Sequence, residues 1–172
     1  MLLRRLAVLP AAALLVLGLA SCGTVRVPAG EAAADPTCAD IVLGAPPQVL
    51  GMDRTETSSQ GTVAWGEGED TVVMRCGVTP PGPTTDQCTT LADENGTEVD
   101  WIVREGEDDT FLYTTYGREP AIDVSVPRSA APDQPSAAPL DLTQVISRNL
   151  EATAFCVGPG DEGYEGLSDG GA

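Results

Sequence analysis

The residues with chemistry to offer are five cysteines, nine arginines and 26 carboxylates, and no histidine stands beside them. All nine basic residues are arginine, so the chain has no lysine either. Without histidine, a Ser-His-Asp or Cys-His centre cannot be assembled, nor can a histidine-bearing metal site. Without lysine there is no Schiff base and no phosphate-loop lysine. Acid–base work by two carboxylates needs a pair held at a fixed separation in a cleft. A small domain with long acidic turns leaves little room for one, so no catalytic residue is assigned and a non-enzyme is expected. Two acidic stretches, Glu67, Glu69 and Asp70, then Glu105, Glu107, Asp108 and Asp109, carry the hard oxygen ligands that suit calcium. They lack EF-hand spacing and read as solvated hairpin tips, so neither a metal nor a cofactor is expected. Arg75, Arg104 and Arg118 fall at or near strand ends. Gathered on one face they would grip an anion bidentately; the plainer expectation is that each pairs with a nearby carboxylate.

Four of the cysteines, Cys38, Cys76, Cys88 and Cys156, lie beyond the first 22 residues. An even number outside the cytoplasm points to two disulfides, with three connectivities open. The favoured pairing is Cys76–Cys88, bracketing a Pro/Gly-rich loop, with Cys38–Cys156 tying the first helix to the last. A bridge over a long loop contributes on the order of 4 kcal/mol by chain entropy. No CxxC redox motif is present, so the cysteines are read as structural.

Residues 1–21 have the form of a targeting leader. Arg4 and Arg5 precede an apolar run from Leu6 to Ala20, about 15 residues and too short for a comfortable membrane span. The run ends in Leu19-Ala20-Ser21-Cys22, which resembles a bacterial lipoprotein signal. That resemblance implies cleavage before Cys22, a thioether-linked diacylglycerol on it and usually a third acyl chain such as palmitate. Two or more acyl chains hold a protein stably at a bilayer. Loss of the leader takes the net charge from −17 to −19, so the anchor must be lipid and not electrostatic. The same charge argues against nucleic acid as a partner.

Residues 22–36 read as a flexible tether spanning roughly 20 Å, followed by a globular domain over 37–157 and an acidic Gly-rich tail, 158–172, expected to be disordered. Thr37 is positioned to cap a short helix through Leu43, and Gln48 to Gln60 reads as loop. Alternation marks five strands: Val63–Trp65, Val72–Cys76, Val99–Val103, Phe111–Thr115 and Ile122–Val126. Asn95-Gly96 is the strongest turn signal. A Val-x-Trp strand followed by an acidic turn occurs at Val63 and again at Val99, which either two similar hairpins side by side or coincidence in a Gly/Asp/Glu-rich chain would explain. Ser129 to Pro139 reads as a linker, and Leu142, Val145, Ile146, Asn149, Leu150 and Thr153 recur at helical spacing up to Cys156, with Leu140-Asp141-Leu142 as an alternative last short strand and Thr143 then capping the helix. Trp65 and Trp101 are expected in the core. The fold class expected is α+β, an antiparallel sheet of about five strands with two helices on one face.

Ala64-Trp65-Gly66, Met74-Arg75-Cys76-Gly77-Val78, Val99-Asp100-Trp101, Thr114 to Arg118 and Val124-Ser125-Val126-Pro127 together resemble an actinobacterial family of exported proteins, domain of unknown function 3515. The likeness runs from about Ile41 to Leu150. It implies a small exported or lipid-anchored envelope domain and brings no activity with it. The expected function is a non-enzymatic binding or scaffold module on the extracytoplasmic face of the cell membrane, engaging an envelope protein or wall component. The alternatives are an enzyme or accessory subunit acting on a cell-wall substrate, or a binder of small anions through Arg75, Arg104 and Arg118.

Overall fold

The computed structural model describes residues 23–158. The leader, Cys22 and all but the first residue of the acidic tail lie outside the described residues. The core of the fold is one antiparallel sheet of eight strands: β1 (Gln48–Val49), β2 (Met52–Thr55), β3 (Thr62–Trp65), β4 (Val72–Val78), β5 (Gln87–Ala92), β6 (Glu98–Glu105), β7 (Thr110–Thr115) and β8 (Ala121–Pro127). Three short helices accompany it: α1 (Pro36–Gly44), α2 (Ala137–Asp141) and α3 (Thr143–Asn149). The protein is therefore mostly β, and the expectation of an α+β domain with about five strands and two helices is corrected. The five alternating segments are all strands. The three missed strands are edge-side elements whose residues show no apolar alternation: β1 and β2 inside the presumed loop, and Thr-rich β5.

The strand order β1-β2-β3-β4-β8-β7-β6-β5 describes two meanders joined in the middle. The first runs β1 to β4. The chain then crosses β8, β7 and β6 through Thr79–Asp86 to the opposite edge, and the second meander returns from β5 to β8, which pairs with β4 at Met74↔Val124 and Arg75↔Asp123. The two Val-x-Trp hairpins are thus β3–β4 and β6–β7. They are not adjacent, because β8 lies between β4 and β7. Their acidic turns, Gly66–Thr71 and Gly106–Asp109, emerge at the same end of the sheet, here the tip end. The Asn95-Gly96 turn joins β5 to β6 at the far end, with Asp93 Oδ1 accepting from the amides of Asn95 and Thr97 at 2.8 Å each.

Alternation sorts the strands into two faces. On one face Val63, Trp65, Met74, Cys76, Val124, Tyr113 and Trp101 join Ile41, Leu142, Ile146 and Leu150 from the helices in a single buried cluster. Trp65 donates from Nε1 to the Pro46 carbonyl at 2.9 Å. Trp101 meets Tyr113 edge-on at 6.3 Å between ring centroids. Asp35, and not Thr37, caps α1, its carboxylate accepting from the Thr37 amide at 2.8 Å. The C-terminal helical pattern ends at Asn149, where Leu150 turns extended.

Both flanks of the chain wrap the far end from one face to the other, and a disulfide fixes each wrap. The N-terminal segment 23–35 crosses the open face and passes Gly77, whose carbonyl accepts from the Ala32 amide at 2.8 Å. It then enters α1, where Cys38 bonds Cys76. After α3 the chain passes Gly117, whose carbonyl accepts from the Thr153 amide at 2.7 Å, and Cys156 bonds Cys88 of β5. All four cysteines are oxidised, but the favoured pairing is corrected to Cys38–Cys76 and Cys88–Cys156. The reason is topological. Cys76 and Cys88 sit on strands four inter-strand spacings apart, roughly 19 Å, far beyond what one disulfide spans. The intervening loop is a crossover and not a hairpin.

The segment read as a tether is corrected too. The Val25 amide donates to the Glu56 carbonyl at 2.8 Å, the Val25 carbonyl accepts from Ser58 at 2.9 Å, and Val27 is buried. Residues 23–35 form a strap on the domain.

Candidate binding groove

The open face of the sheet carries the side chains that alternate away from the core: Val73 and Arg75 on β4, Asp123 and Ser125 on β8, Leu112 and Thr114 on β7, Ile102 and Arg104 on β6. It is partly roofed. The strap lies over one flank, the Thr79–Asp86 crossover passes above β8, β7 and β6, and residues 151–158 cover β5 and β6. What stays open is a two-lobed polar groove. One lobe, of about 510 Å³, lies under the crossover and is lined by Pro80, Pro81 and Pro83 with Arg104, Leu112 and Asp123. The other, of about 380 Å³, lies between the strap residues Arg26–Pro28 and the Gly106–Asp108 turn, with Arg75, Leu112 and Asp123 on its floor. Leu112 and Asp123 line both lobes, which places the two side by side on the same floor.

The floor is organised by one carboxylate. Asp123 is 7% exposed. Its Oδ2 accepts from Arg75 Nη2 at 2.6 Å and its Oδ1 from the Thr114 hydroxyl at 2.7 Å. Three adjacent strands therefore place three polar groups in one row, because Arg75↔Asp123 and Thr114↔Asp123 are direct cross-strand partners. Arg75 keeps 29% of its side chain exposed, so part of its guanidinium faces the groove. At the opposite wall Arg104 pairs with Asp86 at 2.6 Å. That contact holds the Asp86 carboxyl below the usual carboxylate range, chiefly through the Arg104 hydrogen bond and then through the Thr84 side chain.

Arg118 is elsewhere. It lies in the β7–β8 connection, is buried, and donates to the Leu150 carbonyl and, at 3.1 Å, to the Glu98 carbonyl. Burial pulls its guanidinium below the ordinary arginine range, with the Asp100 charge opposing. It is a strut between the end of α3 and the start of β6. The three arginines therefore do not form one anion grip: Arg75 and Arg104 share the groove and Arg118 does not. Asp100, also nearly buried, accepts from the Thr90 hydroxyl at 2.6 Å and the Cys156 amide at 2.9 Å.

Sequence reasoning missed Arg26, Asp86, Leu112, Thr114 and Asp123. The signals were present. Asp123 and Thr114 stand at the off-core positions of strands whose alternation was clear, and Val25-Arg26-Val27 itself alternates. Among the described residues no group of three or more His, Cys, Asp or Glu side chains is disposed to hold a metal ion. No described helix is long and apolar enough to cross a membrane.

One family model, described as "Protein of unknown function (DUF3515)", matches residues 4–155. The chain belongs to this family. The match reaches beyond the blocks between Ile41 and Leu150, back through the strap to residue 4 and forward to Phe155. Among DUF3515 features the groove therefore draws its strap, floor and crossover from within the family match. No curated protein and no solved structure matches the chain.

Proposed function

We propose that this DUF3515 chain is a lipid-anchored, extracytoplasmic binding module without catalytic activity, and that a polar segment of an envelope protein or wall component occupies the open-face groove. The observation that carries the reading is the groove itself. Its floor and wall consist of arginines each matched to one carboxylate, Arg75 to Asp123 and Arg104 to Asp86. Such pairs can exchange partners with an incoming charged or amide group. Placement outside the cell is supported by two disulfides in a domain of this size and by the lipoprotein-like Leu19 to Cys22. The second reading, capture of a small anion, draws on the exposed part of Arg75 beside Arg26 in the same lobe.

The test is a photo-crosslinking residue at Leu112, used in intact membranes of the native host. The proposal expects one dominant crosslinked protein or wall fragment, lost when the probe is moved to exposed Leu43 on α1. A purified domain that turns over wall fragments would reverse the assignment. Calorimetric binding of a small carboxylate or phosphate, abolished by Arg75→Gln, would favour the second reading.

A further inference from the structure

We infer that the anchored domain stands end-on against the bilayer, tip end down, with the lipid surface facing the two acidic turns. The inference rests on the acylation of Cys22 proposed above and adds to it the surface that meets the membrane.

The length of the free chain sets the distance. From Val25 onward the backbone is fixed to the domain: Val25 is hydrogen-bonded on both sides, to Glu56 and Ser58. The Val27 amide donates to the Ser58 hydroxyl at 3.0 Å, and Val27 itself is only 5% exposed. Gly23 and Thr24 are all that separate the acylated position from this anchorage. Two extended residues reach roughly 7 Å. A free tether over residues 22–36 would have let the domain tumble; this leash does not.

Direction follows from where the strap begins. Val25 runs parallel to the extension of β2 at Thr57. The strap therefore enters from the tip end and travels towards the far end. Gly23 borders a cleft of about 480 Å³ with Thr55, Glu56, Gly66, Glu67 and Gly68. The leash thus leaves the domain beside the β3–β4 turn. The β6–β7 turn projects from the same end, so exposed Glu67, Glu69, Asp70, Glu107 and Asp108 all come within about one Debye length, 8–10 Å, of the head groups. Anionic lipid repels these carboxylates, so the short leash, and not surface attraction, holds this end towards the bilayer. Arg75 lies three residues along β4 from Val72, roughly 10 Å higher, so the groove opens just above the head groups. The Asn95-Gly96 turn stands roughly 30 Å above them.

The experiment uses full-length protein purified from its host in acylated form. All four cysteines of the domain are in disulfides, so an introduced thiol is unique. Spin labels go on Glu69→Cys, Glu107→Cys and Glu94→Cys, in phosphatidylcholine–phosphatidylglycerol vesicles that carry a gadolinium chelate on a head group. Relaxation at positions 69 and 107 is expected to exceed that at 94 several-fold. An insertion of about twelve Gly/Ser residues between Gly23 and Thr24, adding a reach of roughly 20 Å, is expected to erase the contrast. Equal relaxation at the three sites, strongest relaxation at 94, or a contrast unchanged by the insertion would each overturn the orientation while leaving the anchor intact. A mass spectrum with no acyl group at Cys22, together with failure to float with vesicles, would instead remove the anchor and the orientation with it.

Discussion

Replacing Arg75 with methionine strips Asp123 of its ionic partner and leaves a nearly buried carboxylate with only the Thr114 hydroxyl. Breaking a fully buried pair costs about 3–5 kcal/mol. Arg75 is 29% exposed and water can reach Asp123 once the side chain is shortened, so the expected loss is smaller, about 2 kcal/mol. Asp123→Asn keeps the shape and an acceptor for Thr114, and leaves Arg75 free to turn outward, at a cost of about 1.5 kcal/mol. If the pair acts as a unit, Arg75→Met with Asp123→Asn costs about 2 kcal/mol and not the sum, a coupling of about 1.5 kcal/mol. The assay is guanidinium unfolding of the four proteins with disulfides intact, reading the midpoint at constant slope. Costs that add within about 0.5 kcal/mol, or an Arg75→Met variant as stable as the parent, would refute the claim that Asp123 organises the groove floor. The same variants then serve ligand screens, because their stability penalty is known.

Three further outcomes are expected. Mild reduction with trapping by iodoacetamide labels Cys88 and Cys156 well before Cys38 and Cys76, since the latter two are wholly buried while the former two are part exposed; simultaneous labelling, read by peptide mass mapping, would contradict this. Gly77→Ala strongly destabilises, because Gly77 has a φ of +85° and an added Cβ would come within 2.4 Å of the strap backbone at Ala32 and Ala33. A fall in melting temperature of about 6 °C or more is expected, on about 3 °C per kcal/mol for a domain of this size. Asp93, held below the usual carboxylate range by Gln144 and then by the Thr97 amide, stabilises the fold when ionised. Its depressed folded-state value places that contribution above the unfolded-state value and removes it as pH falls through the folded one. Asp93→Asn should therefore lose stability at neutral pH, and the gap to the parent should narrow in acid; a gap that widens in acid would refute the assignment.

The central strands were legible because their apolar alternation is strong: Val63 to Trp65, Val72 to Cys76, Val99 to Val103, Phe111 to Thr115 and Ile122 to Val126 all face a helix-covered core on alternate residues. The edges were not, since β1, β2 and β5 bury little and their pairing is decided by neighbours. Cys76 and Cys88 are close along the chain, and proximity in sequence suggested a bond that the crossover forbids. The strap was misread because its Ala, Gly and Pro content resembles a linker; small residues are in fact what a segment needs to cross a sheet at backbone contact, as Gly30 does against Gly77. Of the site, the arginines drew notice as scarce cations, but only the sheet order shows that Arg75 and Arg104 face one groove and Arg118 supports a corner.

The last strand made is the one that sits at the centre. Until Ala121–Pro127 is available, the first four strands and the next three have no shared ladder, since β4 and β7 meet only through β8. A polypeptide emerging N-terminus first thus carries two half-built sheets with two bare edges, and native register is set only once β8 (Ala121–Pro127) has been added. Late closure of this kind keeps a threading chain unfolded, as the extracytoplasmic placement proposed above would require.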